Sequence, residues 1–186
     1  TSLLTPADFE AALVCLREFD GLGFYNAGAI AGASQRHKHL QYVPLPLAHA
    51  PDGLPLERPI AEAPLGCIAV APDLWFRHKF VRFEHGIQTG SASAFQLWSW
   101  YRALLIAVGV DGGASDRQPA PYNLLFTRRW MLIAPRTSEG ALGISVNSLG
   151  FAGSLLVRNR TQLALLERFG PHTLLCGVTG AAPPTR

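Results

Sequence analysis

Charge and cysteine are both scarce in this sequence. Charged side chains make up 16% of the 186 residues against 48% hydrophobic, which excludes a disordered, self-repelling chain. At this length one domain with a well-filled core is expected, or an apolar surface normally covered by something else. The formal charge of +3 comes from basic residues scattered singly or in short pairs such as Arg128-Arg129, so no nucleic-acid-binding arm is present. The three cysteines, Cys15, Cys67 and Cys176, are far apart and form no CxxC pattern, which argues against a disulfide framework or a zinc knuckle and for free thiols in a reducing compartment. Long hydrophobic runs are missing too: the most apolar stretch, "YRALLIAVGV", is interrupted by Arg102 and is too short to cross a bilayer. With no basic leader followed by an apolar run, the expectation is a soluble, cytoplasmic protein with no membrane partner. No internal repeat is visible.

Proline and glycine divide what is there into elements. Thr5-Pro6-Ala7-Asp8 reads as a helix start, with Phe9, Ala12, Leu13 and Leu16 on one face and an end near Phe19. "GLGFYNAG" reads as a strand, "AGAIAGASQ" as a loop of small residues, and "HKHLQYVPL" as a second strand antiparallel to the first. Six prolines between Pro44 and Pro64 predict an extended surface excursion that blocks helix and ladder alike. "CIAVAP" and "FVRFEH" are further candidate strands, the second with its facing undetermined. Ser91 to Val108 carries Phe95, Trp98, Tyr101, Leu105 and Val108 at helical spacing. "GVDGGASDRQPAP" is a loop, "YNLLFT" and "RWMLIAP" form a hairpin turning at Arg128-Arg129, and "RTQLALLERFG" is a last helix closed by Gly170.

The chemistry concentrates in "AGASQRHKHLQ". On a strand His37, His39 and Gln41 share one face, and main-chain N–H groups around Gly32, Ala33 and Ser34 would offer an anion cradle beside them. A neutral imidazole on rigid backbone attacks phosphorus near pH 7, and the Gln41 amide can stabilise charge on a phosphoryl oxygen. Three readings of the residues stay open: nucleotidyl transfer, a metal site on His37 and His39, or histidines with no ligand at all. A third metal ligand is not evident, Cys67, His49, His78 and His85 being candidates only by their presence. Elsewhere, Arg128, Arg129 and Arg136 are turn arginines first and phosphate ligands second. Trp75, Trp98, Trp100 and Trp130 read mainly as core, His172 as a loop residue, and Asn147 as a turn residue or a functional one.

"YNAGAIAGASQRHKHLQ", "YNLLFTRRWMLIAPR" and "GISVNSLGFAGSLLVR", in that order, resemble the ATP adenylyltransferases, or diadenosine tetraphosphate phosphorylases, of the histidine-triad-like superfamily, in the branch related to galactose-1-phosphate uridylyltransferase. The resemblance covers nearly the whole chain. It implies an α+β fold, a histidine-triad-like antiparallel sheet with flanking helices, in one domain over residues 1–186. Residues 1–47 would supply the catalytic loop and strand, 48–120 the Pro-rich excursion, strands and helix, and 121–186 the C-terminal family block. It further implies a nucleotidyltransferase that cleaves diadenosine tetraphosphate with phosphate to ADP and ATP, and runs in reverse, through an adenylyl group on His39, assisted by His37 and Gln41. Nucleotide contacts carry over to Asn26, Gly32, Ala33, Ser34, Gln35 and Gln41, with others at Asn123, Thr127, Met131 and Arg136. No tightly bound cofactor is implied, magnesium arriving with the polyphosphate, and the partners are small nucleotides. Compared with the family, the chain is expected to lack an N-terminal segment, leaving an edge open to self-association. The alternative is then a nucleotide-binding or assembly module inactive without that segment.

Overall fold

In the computed structural model, residues 2–47, 53–84, 93–110 and 120–182 are described. Helix α1, Pro6–Glu18, starts where the capping residues place it, with Thr5 as cap and Pro6 in the first turn. The Asp8 carboxylate accepts from Thr5 N at 2.7 Å and Thr5 Oγ1 at 2.8 Å. Phe9, Ala12, Leu13 and Leu16 are buried, as the periodicity predicts. Strand β1, Gly21–Ala27, pairs on one side with β2, Gln41–Pro44, and on the other with β5, Tyr122–Phe126. The β5 hairpin partner β6, Trp130–Pro135, then pairs with β4, Lys79–Arg82, and β4 with β3, Ile68–Ala69. The result is an antiparallel six-stranded sheet in the order β2-β1-β5-β6-β4-β3 within an α+β fold.

Both faces of this sheet are covered, which explains why "YNLLF" and "WMLIAP" read as unbroken apolar runs. Tyr122, Leu124, Phe126, Met131 and Ile133 face α1 and helix α3, Ala94–Ala107. Leu125, Trp130, Leu132 and Ala134 face the opposite core, with Leu54, Ile60, Phe151 and Leu174. The facing of "FVRFEH" is thereby settled: Phe80 belongs to the second core and Val81 to the first. Gly23 stands opposite Phe126, whose ring lies across it; a Cβ there would sit 2.1 Å from the ring.

Several expectations need correction. Only Gln41–Pro44 of "HKHLQYVPL" joins the ladder, and only Ile68–Ala69 of "CIAVAP". The Pro-rich stretch is not simply a surface excursion, because Leu54, Leu56 and Ile60 are buried and Glu57–Ala61 forms a short helix, α2. Pro59 is tolerated there because N–H groups in a first helical turn have no intrahelical partner to lose. Residues 48–52, with His49, lie outside the described residues, as do 85–92, with His85, and most of the "GVDGGASDRQPAP" loop. Helix α3 is capped by Ser93 and Gln96 reciprocally and buries Leu97, Tyr101, Leu104 and Leu105, while Phe95 is 63% exposed. The stripe is rotated from the one drawn through Phe95 and Trp98. The final helix α5, Arg160–Thr179, does break at Gly170 (φ 77°) but resumes at Pro171. Not anticipated were the small hairpin β7, Gly140–Ala141, with β8, Ile144–Ser145, and the turn-long helix α4, Ser148–Phe151. No helix among the described residues is long and apolar enough to cross a membrane.

Asp8 also receives the Lys38 ammonium at 2.6 Å. Burial alone would raise its pKa, but the hydrogen bonds from Lys38 and Thr5 and the Lys38 charge outweigh it and hold the carboxyl below its usual 3.8. A lowered carboxyl pKa means stabilisation that is present at neutral pH and lost as the pH falls through that value. Asp8→Ala should therefore cost about 1–2 kcal/mol at neutral pH. In denaturant melts of both proteins the gap should narrow as the pH is taken down through and below 3.8.

Candidate active site

At the end of β1 the chain turns through a 3-10 segment, Ala29–Ala31. Gly32 (φ 84°) then packs so closely on the Val146–Asn147 backbone that a Cβ would sit 2.9 Å from Val146 O and Asn147 Cβ. Within the turn Gly32 N donates to Ala29 O at 2.9 Å and Ala33 N to Gly28 O at 3.2 Å. This corrects the cradle predicted from Gly32, Ala33 and Ser34, because the first two N–H groups are spent inside the loop. Of the four main-chain N–H groups from Gly32 to Gln35, those of Ser34 and Gln35 donate to no described group.

Residues 37–40 keep strand-like alternation without ladder bonds. Lys38 is tied to Asp8 on α1, and Leu40 packs against the core beneath α1 and α3. Those two anchors turn the intervening imidazoles the other way: His37 and His39 are exposed, with ring centroids 5.8 Å apart and planes at 76°. Gln41 stands opposite Phe24 in the β1–β2 register. A cavity of about 210 Å³ is lined by Phe24, Asn26, Gly32, Ala33, Ser34, Gln35, His37, His39, Gln41, Asn147 and Leu149. A second hollow of about 210 Å³ adjoins it across Gly32 and Asn147, with Ser154 and Arg158 in its wall. A larger cavity among the described residues, about 540 Å³, is lined mainly by apolar residues such as Leu54, Leu74, Phe76, Phe151 and Leu175 and contains neither histidine of the motif. Polar side chains converge in the smaller one, which is the candidate site.

Behind Asn26 lies a buried polar network. Asn26 Oδ1 is 2.8 Å from Asn123 Nδ2, 2.8 Å from Ser148 N and 2.7 Å from Ser148 Oγ. Asn123 Oδ1 accepts from Arg136 Nη1 at 2.6 Å. The other Arg136 N–H groups go to the carbonyls of Val146, Ser138 and Glu139. Burial lowers the Arg136 pKa to about 10, partly offset by Glu139, so the guanidinium stays charged at neutral pH.

Two family models divide the chain. Residues 1–62 match the Ap4A phosphorylase N-terminal domain, and residues 72–180, more than half of the chain, match the ATP adenylyltransferase C-terminal domain. The chain belongs to the ATP adenylyltransferase family. Diadenosine tetraphosphate phosphorylase 2 of Saccharomyces cerevisiae is 27% identical over 209 residues, covering 97% of this chain and 63% of the relative. The fold is similar to that of the yeast Ap4A phosphorylase crystal structure, with a TM-score of 0.80 at 22% identity over 100% of this chain and 66% of that one. Its complex with Ap4A gives 0.79 at 22% identity, with the same coverage. Its complex with AMP gives 0.75 at 24% over 100% of this chain and 65% of that one. The chain thus spans about two thirds of the length of the relatives it matches, 63% of the curated one. In this family member the two matched regions meet inside one sheet, at β1 and β5, and Asn26 faces Asn123 in register at that seam.

Of the residues expected to touch nucleotide, Asn26, the Gly32–Gln35 loop, His37, His39 and Gln41 share the cavity wall. Asn123, Thr127, Met131 and Arg136 do not; all four are buried. Met131 belongs to the core beneath α1 and α3, and Thr127 Oγ1 accepts from Arg129 N in the hairpin turn. None of the four lines either of the two hollows beside the motif. His78 is a core residue, with Nε2 accepting from Ala71 N and Nδ1 at 2.8 Å from Phe76 O. His172 packs against Trp75. No group of three or more His, Cys, Asp or Glu suited to a metal occurs among the described residues. Sequence reading passed over Phe24 and Leu149 as wall residues and left Asn147 undecided. Asn147 Oδ1 accepts from Leu149 N as the cap of α4, a pattern that "VNSL" carries.

Gly32→Ala should destabilise the protein by about 1–3 kcal/mol, since it adds left-handed strain to a backbone clash. Gly109, also left-handed (φ 74°) but with no neighbouring atom within 4 Å of the point a Cβ would occupy, is the control. Gly109→Ala should cost no more than about 1 kcal/mol in the same melt.

Proposed function

We propose that this chain carries the adenylyl-transfer site of a diadenosine tetraphosphate phosphorylase, on a sheet of the histidine-triad-like kind. The observation that carries the reading is the convergence of His37, His39, Gln41 and the Gly32–Gln35 loop on one cavity. The family membership and the Ap4A and AMP complexes of the structural neighbour support it. His39 attacks the phosphorus bearing adenosine: an N–P bond forms, the bond to the bridging oxygen breaks, and ATP leaves. An oxygen of inorganic phosphate then attacks the same phosphorus, the N–P bond breaks, and ADP leaves with His39 restored. The reverse sequence makes the dinucleotide.

The chain's part is positioning and charge stabilisation. His37 and the Gln41 amide supply donors to the transferred phosphoryl group, as do the Ser34 and Gln35 N–H groups. The adjoining hollow, with Arg158 in its wall, receives the rest of the polyphosphate, whose charge magnesium carried by the substrate helps to neutralise. Lys38, anchored to Asp8, holds the nucleophile's segment rigid from behind.

In single-turnover reactions quenched early, mass spectrometry should find one AMP on the wild-type protein and none on His39→Ala, whose turnover falls by about a thousandfold or more. Gln41→His should shift the acceptor from phosphate toward water. Turnover with no adduct would overturn the covalent route. Tight AMP binding with no phosphorolysis would leave a binding module in place of an enzyme.

A further inference from the structure

An amide's two heavy atoms look alike by shape, so the neighbours decide which is oxygen. Around Asn26 the neighbours leave no choice. A guanidinium can only donate, so the Asn123 atom 2.6 Å from Arg136 Nη1 is oxygen and the Asn123 NH₂ lies on the other side. That NH₂ also reaches the Ala31 carbonyl at 2.9 Å, an acceptor only, which fixes the same orientation independently. With two protons the NH₂ serves Ala31 O, Ser148 Oγ at 3.0 Å and the Asn26 atom at 2.8 Å, which favours an acceptor there, and the Ser148 backbone N–H, a donor only, meets that same Asn26 atom at 2.8 Å and fixes it as oxygen. Asn26 Oδ1 is thus held inward twice over, and Asn26 Nδ2 donates to no described group while the residue forms part of the cavity wall.

We propose that Asn123 and Arg136 are positioning residues for this site, and that with the Ser148 N–H they lock the Asn26 amide so that Nδ2 is presented to the cavity as a fixed donor. Arg136 lies behind the wall, so its effect passes through Asn123 to Asn26. A free asparagine would offer a ligand either end of its amide. This one offers only N–H, which suits an oxygen of a phosphate or a ribose and disfavours a donor in the same place. The ligand class rests on the nucleotide reading above; the orientation of the amide does not.

Side-chain amide NMR on the ¹⁵N-labelled chain separates the two. In the ligand-free wild type, the Asn123 NH₂ protons should exchange slowly with water and those of Asn26 rapidly, and added AMP should move the Asn26 pair. The reverse exchange pattern overturns the proposal. Asn26→Asp keeps an inward acceptor for Ser148 N and Asn123 Nδ2 and turns the outward donor into a charged acceptor. Its melting temperature should stay within about 5 °C of wild type. Its AMP affinity, by calorimetry, should fall at least about tenfold. Unchanged affinity would show that Asn26 is merely structural. Asn123→Asp opposes an acceptor to Asn26 Oδ1 while Ser148 N still requires an oxygen, so the Asn26 pair should shift without ligand and AMP affinity should fall by a similar factor. A folded Asn123→Asp protein with both unchanged would overturn the relay. Should that variant not fold, the wild-type exchange pattern and Asn26→Asp decide. If wild type does not bind AMP, the nucleotide reading falls and the exchange pattern alone judges the amide.

Discussion

A guanidinium withdrawn from water must place every N–H against an oxygen, because a buried donor left unpaired costs about 1–3 kcal/mol, and more when charged. Arg136 meets this demand by reaching the carbonyls of Ser138, Glu139 and Val146 and the side chain of Asn123. These contacts fix the short segment between β6 and β7 on itself and tie it to β5 and to the stretch between β8 and α4. Asn123 passes the constraint to β1, and β1 carries it to the wall of the cavity. The Phe151 ring, 5.8 Å from the guanidinium carbon, closes this arrangement on the apolar side.

The sheet makes such a relay possible because its two faces do different work. One buries a continuous apolar layer under α1 and α3. The other is apolar over β6 and β4 but becomes polar toward β1, where Asn26 and Asn123 are register partners. The same alternation places Phe24 and Gln41 on the cavity side and directs Tyr42 and Leu40 to the α1 side. Lys38 completes the pattern through an ion pair instead of a ladder bond. The site's geometry thus depends on helix α1 as much as on the strands.

Much of this was legible in advance, and particular residues show why. The Thr5-Pro6-Asp8 start, the first strand and the 122–135 hairpin rest on signals within a few residues of one another, and each appears where those signals put it. The α3 stripe was misjudged because Phe95 and Trp98 are aromatic and at helical spacing, yet the sheet lies on the Leu97–Leu104 side. The Pro-rich stretch was misread because proline forbids ladder bonds without forbidding burial, and Leu54, Leu56 and Ile60 fill the second core.

The candidate site divides along the same line. By itself the sequence determined that two imidazoles and an amide alternate after a small-residue loop, since side-chain alternation is a local property of extended backbone. That the conspicuous polar residues Asn123 and Arg136 are buried and do not line the cavity was decided only by the tertiary structure. So was the choice of main-chain donors left to the loop, and of the end of Asn26 that faces outward. Hydrogen-bond capacity is finite, and which partners use it depends on segments up to 123 residues apart being brought together.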